Sequence, residues 1–359
     1  GIYFTVRLRG VQIRRFGEGV HRVFGGFTLR GKKADADGMS SFQALTTAIA
    51  AQVGTGNITG CATALVTPMR DGAVDFAALS RLIEFQISAG VSALIPCGTT
   101  GEAPTLHSDE KRRIIAHTVK AAAGRVPVIA GCGSPSTDFA AQFARDAASD
   151  GADAILCVTP YYNKATDKGL YLHYGAVADA CGLPIIVYNV PQRTGLRLGE
   201  SALEGLCKIP NVCAVKEASG DIAYAARLIQ RFGSRLAFYC GCDELCAPFY
   251  ACGGAGLISV VSNIVPGAAQ KLCRTCESGK LCGAVRLQKE LFPLISALFS
   301  ELSPIPVKRA LKYMQMCSDE VRLPLCKMTA AGAERRSRGL WATDKPHPCM
   351  GDHRSPALF

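Results

Sequence analysis

The strongest constraint on the fold is an alternation of short apolar segments with longer amphipathic segments, which begins at Ile58 and repeats eight times. The apolar segments are rich in Val, Ile, Leu and Ala and are bounded by Gly or Pro, a pattern that indicates strands buried on both faces. Between them, stretches such as DFAALSRLIEFQISAG and SDEKRRIIAHTVKAAAG have apolar residues at helical spacing and open on Asp or Ser, which commonly cap helices. The eight predicted strands are ITGCATALVT, VSALIPCG, VPVIAGCG, ADAILCVTP, LPIIVYNVP, VCAVKEAS, LAFYCGCD and AGLISVVSN.

Eight strand–helix units in series predict an α/β protein with a (β/α)8 TIM barrel. A doubly wound open sheet is the alternative, but no GxGxxG motif follows the first strand, so the main reason to prefer a dinucleotide-binding fold is missing. Further helical segments follow the eighth strand. We therefore expect the barrel over residues 58–279 and a small C-terminal helical appendage over residues 280–327.

The two ends of the chain show no sustained helical or strand period. Residues 1–57 are arginine-rich near their start, and we expect an N-terminal extension that is disordered or not native, with a transit peptide and a start at Met39 as alternatives. Residues 328–359 intersperse Pro, Gly and Arg, and we expect a disordered tail there. Both ends are left out of the fold prediction.

The formal net charge of +11 does not indicate a nucleic-acid-binding face. Residues 1–60 hold 8 Lys/Arg against 3 Asp/Glu, and residues 328–359 hold 5 against 3, so only +4 remains for the long middle of the chain. No apolar run approaches the ~20 residues that span a bilayer. We therefore expect a soluble, cytoplasmic protein that binds neither nucleic acid nor membrane.

The 17 cysteines are scattered through predicted strands and helices without a secretory signal peptide, so we expect free thiols rather than a disulfide framework. Cys273 and Cys276 form one CxxC, and Cys240, Cys242 and Cys246 lie close together after a strand. Neither group has the matching second half that a structural zinc site needs. We expect no metal and no other cofactor.

A lysine stands at the C-terminal end of one predicted buried strand. Lys216 follows the apolar run VCAV, and burial disfavours the charged ammonium and favours a neutral, nucleophilic amine. In a barrel, active-site residues come from the C-terminal ends of the strands. Polar residues at the same mouth follow other strands: Tyr188, the pair Thr99 and Thr100, and the pair Tyr161 and Tyr162.

These residue types suit imine chemistry. A lysine amine attacks a ketone to form an imine, and the phenol of Tyr188 and the hydroxyl of Thr99 can shuttle the protons. Each residue alone has a simpler interpretation: a lysine that extends to solvent, a core tyrosine, a helix-capping threonine or, for Arg193, a solvated loop charge. Their placement at one mouth favours a site.

The motifs GTTGE, TPYYN, YNVPQRTG and VKEASGD, in this order, closely resemble the dihydrodipicolinate synthase family over residues 58–327. The wider group of pyruvate-dependent class I aldolases, which includes N-acetylneuraminate lyase and 2-keto-3-deoxygluconate aldolase, shares the barrel, the lysine and a GxTGE loop. The resemblance implies a lyase that forms a Schiff base and condenses pyruvate with L-aspartate 4-semialdehyde to 4-hydroxy-tetrahydrodipicolinate, in the diaminopimelate route to lysine. It also implies a homotetramer, built as a dimer of dimers, without a cofactor.

The resemblance also implies a role for each site residue. Lys216 forms the Schiff base with pyruvate. Tyr188, Thr99 and Tyr162 make the proton relay, with Tyr162 extending into the site of a neighbouring subunit. The expected substrate-binding residues are Thr100 for the pyruvate carboxylate, Arg193 for the carboxylate of the aldehyde, and Gly241 and Ile258 in the wall of the site.

One group of residues departs from the family. Lysine-inhibited members carry Asn and Glu where this chain has Pro135 and Phe139, and His is common where it has Ser108 and Lys111. Because Phe139 cannot accept a hydrogen bond from an ammonium, we expect weak or absent feedback by lysine. Two other functions stay open: another pyruvate-dependent aldolase, or a barrel that binds a keto acid without catalysis.

Overall fold

The structure is a computed structural model that describes residues 59–328, so the predictions for residues 1–57 and for the tail beyond Met328 lie outside the described residues. Within this range the chain forms a barrel surrounded by helices, and the loop after the first barrel strand contains a small hairpin. The strands are β1 (Gly60–Ala64), β2 (Met69–Arg70), β3 (Ala73–Val74), β4 (Ala93–Ile95), β5 (Ile129–Gly131), β6 (Ala154–Val158), β7 (Ile185–Asn189), β8 (Val212–Glu217), β9 (Ala237–Cys240) and β10 (Gly256–Ser259).

Eight of these strands form one parallel sheet in the order β4-β1-β10-β9-β8-β7-β6-β5. A bridge between Leu94 and Val128 joins β4 to the start of β5 and closes the sheet. Each of the eight predicted apolar segments contains one barrel strand, so the predicted (β/α)8 barrel is confirmed. The predicted division at residues 279 and 280 stays a prediction.

The helices lie on the outside of the barrel and continue after its last strand. Their bounds are α1 (Phe76–Ser88), α2 (Ser108–Ala122), α3 (Thr137–Ser149), α4 (Asp167–Cys181), α5 (Pro191–Thr194), α6 (Glu200–Leu206), α7 (Ile222–Phe232), α8 (Cys246–Ala251), α9 (Pro266–Glu277), α10 (Leu281–Leu298) and α11 (Ile305–Tyr313). Short 3-10 turns occur at Ala103–Thr105, Asp243–Leu245 and Val261–Asn263.

Local capping chemistry explains where two of these helices begin. The carboxylate of Asp75 accepts the N–H of Ala78 at 2.9 Å and starts α1. Ser108, which the sequence suggested as the cap of α2, is instead the first helical residue. His107 is the cap because its N–H donates to the Glu110 carboxylate at 2.9 Å, as in a capping box.

Side chains alternate between the barrel interior and the surrounding helices, as the period of a strand requires. Ala214 on β8 and Ala218, directly after β8, belong to the interior apolar cluster, and Lys216 lies between them at the same strand period. The other interior residues include Ala62, Ile95, Ile129, Leu156, Ile186, Tyr188, Tyr239 and Ile258. Lys216 therefore extends into an apolar interior.

The described residues also bear on disulfides, metal ligands and membrane-spanning helices. The 16 cysteines that the structure describes are free thiols. Within residues 59–328 no group of His, Cys, Asp and Glu has the arrangement of a metal site. None of the helices in this range is both long and apolar enough to cross a bilayer.

Candidate active site

A cavity of about 480 Å³ opens among the loops that follow β4, β5, β6 and β7. Thr99, Tyr161, Tyr188 and Arg193 line it, together with Gly131 at the end of β5. Among the described residues that line the cavity, none is Asp or Glu, whereas Arg193 and Lys111 are basic. The cavity is therefore suited to anionic ligands.

Strand register places three of the key side chains side by side. Lys216 on β8 pairs with Tyr188 on β7 and with Tyr239 on β9. Lys216 is 5% exposed, and its Nζ lies 4.4 Å from the centre of the Tyr188 ring. Burial raises the pKa of the Tyr239 phenol above its usual range. No carboxylate forms an ion pair with Lys216 within the described part of the chain.

Gly241 provides the space that the lysine side chain occupies. A Cβ at this position would lie 3.0 Å from Cε of Lys216 and 2.6 Å from Cβ of Ala218. The Gly241 N–H donates to the carbonyl of Glu217 at 2.7 Å, which continues the pairing of β8 and β9. Ile258 is buried on β10 in the same interior cluster. Both residues lie in the barrel wall rather than in the lining of the cavity.

The two threonines lie in a tight loop after β4, which we call the threonine loop (residues 97–102). Thr99 lines the cavity, and Thr100 is buried beside it. Two residues of this loop, Cys97 with φ 56° and Glu102 with φ 57°, have left-handed backbone conformations that are uncommon for residues other than glycine. The loop is pressed against β5, because a Cβ at Gly131 would lie only 2.0 Å from the carbonyl oxygen of Cys97.

Two further predicted residues are more exposed. Arg193 lies on the short helix α5, lines the cavity, and forms no ion pair within residues 59–328. Tyr162 is 96% exposed and has a φ of 66°, and it does not line the cavity of the described chain. The structure thus brings Tyr188, Thr99 and Arg193 to one cavity, places Lys216 beside the Tyr188 ring but not among the lining residues, and leaves Tyr162 outside the cavity.

A buried polar network that the sequence reasoning missed holds the ends of β7 and β8. Asn189 Nδ2 donates to Oε2 of Glu217 at 2.6 Å, and Glu217 Oε1 accepts the Ser219 N–H at 2.6 Å. Asn189 Oδ1 accepts the N–H of Leu198 at 3.2 Å. Burial raises the pKa of Glu217. Asn189 and Glu217 directly follow Tyr188 and Lys216, and this repeated order of polar residues at strand ends was the available signal.

The residues that depart from the lysine-inhibited pattern lie at the same cavity. Ser108, Lys111, Phe139 and Tyr161 all line it, whereas Pro135 does not. Lys111 Nζ lies 4.1 Å from the centre of the Phe143 ring, and burial lowers the pKa of this lysine. This part of the cavity therefore presents an aromatic wall and a cation.

Comparisons with known proteins place the chain in a family. A model described as the dihydrodipicolinate synthetase family matches residues 57–340, which is most of the chain. The chain belongs to this family. A second model, the sodium:alanine symporter family, matches residues 1–75, a minor part of the chain that overlaps the first match.

Individual relatives agree with the family match. A 4-hydroxy-tetrahydrodipicolinate synthase of Sphingopyxis alaskensis is 48% identical over 279 residues, covering 77% of this chain and 94% of the relative. One of Geobacter metallireducens is 45% identical over 276 residues, covering 77% and 95%. A crystal structure of the dihydrodipicolinate synthase of Acinetobacter baumannii complexed with pyruvate is 40% identical, with a TM-score of 0.77 and coverage of 79% and 98%.

Proposed function

We propose that this chain is a 4-hydroxy-tetrahydrodipicolinate synthase, a lyase that condenses pyruvate with L-aspartate 4-semialdehyde in the diaminopimelate route to lysine. The carrying observation is the pairing of Lys216 with Tyr188: a buried amine without a carboxylate partner lies 4.4 Å from the centre of a phenol ring that lines an acid-free cavity. The names of the relatives support the choice of substrates, since they are 45% or more identical to this chain.

The reaction proceeds through covalent intermediates on Lys216. Its amine attacks the ketone carbon of pyruvate, and loss of water gives an imine. Removal of a proton from the methyl group gives an enamine, whose carbon attacks the aldehyde of the second substrate. The amine of that substrate then attacks the imine carbon, closes the ring and releases Lys216. Tyr188 and Thr99 carry the protons in these steps.

The substrate carboxylates have separate partners in this proposal. Thr100 and the backbone N–H groups of the threonine loop bind the carboxylate of pyruvate, and Arg193 binds that of the aldehyde. Gly241 and Ile258 shape the wall beside the imine. Lys216 supplies the electron sink that a cofactor provides in other enzymes, so no cofactor takes part in the steps above.

The second candidate is another pyruvate-dependent aldolase, and the second substrate discriminates the two. We expect turnover with L-aspartate 4-semialdehyde to exceed turnover with N-acetylmannosamine or glyceraldehyde by more than 100-fold. Arg193→Ala should raise KM for the semialdehyde by about 10- to 100-fold, since it removes a charged hydrogen-bond donor, and should leave KM for pyruvate within about twofold. Arg145→Ala, an exposed arginine on α3, is the matched control. Equal turnover with a neutral sugar aldehyde would favour the other aldolases.

We also propose that a second copy of the chain completes the site through Tyr162, in a homotetramer. An almost fully exposed tyrosine in a left-handed conformation fits a side chain that is held by a neighbouring subunit. Sedimentation measurements should show a tetramer, and Tyr162→Ala should lower kcat about 10-fold or more. A fully active monomer would contradict this part of the proposal.

We place the enzyme in the cytoplasm.

Weak feedback by lysine follows from the aromatic and cationic part of the cavity. Phe139 offers no acceptor for an ammonium, and Lys111 repels one. We expect L-lysine at about 5 mM to lower the reaction rate by less than half, which corresponds to a dissociation constant above about 5 mM. Half-maximal inhibition at a low millimolar or submillimolar concentration of L-lysine would contradict the prediction of weak feedback.

A further inference from the structure

A buried ion pair joins the C-terminal helical region to the threonine loop. Lys308 on α11 donates to Oε1 of Glu102, the last residue of the loop, and both side chains are fully enclosed. These two residues are 206 positions apart in the sequence. Every other ion pair within residues 59–328 has at least one partner that is partly exposed.

Both charges of the pair have further partners from the segment that follows α11. Lys308 Nζ also donates to the carbonyl oxygen of Glu320 at 2.6 Å. Oε2 of Glu102 accepts the backbone N–H of Arg322 at 3.0 Å. The Arg322 guanidinium in turn donates to both carboxylate oxygens of Glu110 at 2.6 Å and to the carbonyl oxygen of Thr105 at 3.0 Å. The last residue of the threonine loop and two residues that follow it, Thr105 and Glu110, are therefore tied to one C-terminal segment.

The position of Glu102 makes this contact relevant to the threonines. Its backbone N–H donates to the carbonyl oxygen of Thr99 at 3.1 Å, and its own carbonyl oxygen accepts the N–H of Thr105 at 2.9 Å. Its left-handed φ of 57° is unfavourable for a residue with a Cβ and persists only where the surroundings hold it. The carboxylate of Glu102 supplies such a hold, since it receives directed bonds from two donors.

A role in stability alone does not explain why the pair is ionic. Removing two charges from water costs free energy, and apolar residues of similar volume are often at least as stabilising in such places. An apolar pair lacks directed bonds, however, and leaves the orientation of the loop less defined. The directed bonds of the ion pair fix the orientation of Glu102 relative to α11. The backbone of Thr99 and Thr100 is oriented with it, because these residues belong to the same loop.

We propose that Lys308 and Glu102 are positioning residues that orient Thr99 and Thr100 toward pyruvate bound at Lys216. This inference rests on the proposed function. It assigns the C-terminal helix a part in the pyruvate half of the site only. Arg193 lies on α5 after β7, and the hydrogen bonds of the Lys308 and Glu102 side chains within the described residues do not involve that helix.

The test uses the full-length protein with the variants Lys308→Met and Glu102→Gln. Leu311→Ala is the matched control, because Leu311 is fully buried on the same helix and makes no hydrogen bond to the loop through its side chain. For Lys308→Met we expect KM for pyruvate to rise at least fivefold and kcat to fall at least tenfold, with KM for the semialdehyde within twofold. Glu102→Gln keeps the size and an acceptor and should show smaller changes of the same kind.

A second readout needs pyruvate alone. The pyruvate concentration that gives half-maximal borohydride trapping should rise in Lys308→Met and Glu102→Gln and stay within twofold in Leu311→Ala, at a temperature where all variants are folded. If Lys308→Met does not fold, Glu102→Gln decides the matter by the same two measurements.

The outcomes separate this inference from the proposed function. An active wild type with an unchanged pyruvate dependence in both variants overturns the positioning role and leaves the proposed function standing. Equal changes in Leu311→Ala overturn it as well, since they would reflect general loosening of the helix. A wild type that forms no pyruvate adduct overturns the proposed function together with the role of the loop.

Discussion

The interior of the barrel and the junction between α11 and the threonine loop each enclose one lysine, in opposite ways. Lys216 has the ring of Tyr188 beside it and no carboxylate partner in the described structure, whereas Lys308 is paired with Glu102 and with the carbonyl of Glu320. A buried lysine without an anionic partner keeps its amine free to react with a ligand, whereas the amine of Lys308 is occupied by directed hydrogen bonds to two protein oxygens. We therefore expect Lys216 to act in the reaction and Lys308 to stabilise and orient the threonine loop.

The largest test of this contrast is removal of Lys216. We expect Lys216→Ala to lower kcat by about 10⁴-fold or more, because the covalent route is lost, and to leave the free energy of unfolding equal to or above that of the wild type. The reason is that a buried amine without an ion-pair partner contributes little to stability. Steady-state kinetics and denaturant unfolding give the two numbers. The control is Lys208→Ala, at an exposed position.

Removal of Lys308 should have the opposite signature in stability. Lys308→Ala leaves the carboxylate of Glu102 buried without its cation, so we expect a loss of about 3–5 kcal/mol in the free energy of unfolding. The double variant Lys308→Met with Glu102→Gln should lose less than the sum of its two single variants. Denaturant unfolding of the four proteins completes the cycle, and strict additivity would mean that the two residues do not act as a pair.

Gly241 sharpens the comparison on the side of Lys216. Gly241→Ala places a Cβ against Cε of Lys216, and we expect overpacking to cost about 1–3 kcal/mol in stability and to slow formation of the pyruvate adduct. Gly199→Ala is a suitable control, since a Cβ there meets no atom within 4 Å. Adduct formation at the wild-type rate would contradict this, because it would show that the barrel wall accommodates the added Cβ without displacing the Lys216 side chain.

The smallest expected effect concerns the ion pair of Arg322 and Glu110, which lies outside the buried pair of Lys308 and Glu102. The Arg322 guanidinium lowers the pKa of Glu110 from its ordinary value to about 2, so the folded state favours the ionised carboxylate. Such a group stabilises the fold above its ordinary pKa, and the contribution disappears as the pH falls toward 2. Glu110→Gln should therefore lower the free energy of unfolding by about 1–2 kcal/mol at pH 7, after allowance for solvent screening.

The pH dependence checks this assignment. The difference between wild type and Glu110→Gln should narrow between pH 4.5 and pH 2, as measured by urea unfolding. A difference that is the same at pH 7 and pH 3 would mean that Glu110 acts through packing rather than through its charge.

Periodicity was sufficient to predict the barrel, because a strand buried on both faces is a continuous apolar run between turn residues. The hairpin of β2 and β3 was missed, although Asp71 and Gly72 form a typical hairpin turn with φ values of 52° and 77°. Each of its strands has only two residues, which is too short for an alternating pattern to be visible.

The two buried lysines differ in how visible they are in the sequence. Lys216 was visible because it interrupts an apolar strand, where a charge is unusual. Lys308 lies in the amphipathic segment PIPVKRALKY, where a lysine is ordinary, and its partner is 206 positions away. Pairing of that kind depends on how the chain returns to the barrel, which local sequence does not encode.

Formation of an imine between Lys216 and pyruvate is measured most directly by borohydride trapping followed by peptide mass spectrometry. We expect a reduced pyruvate adduct on Lys216, which becomes depleted when L-aspartate 4-semialdehyde is added before the borohydride. An adduct on any other lysine, or no adduct at all, would contradict this expectation.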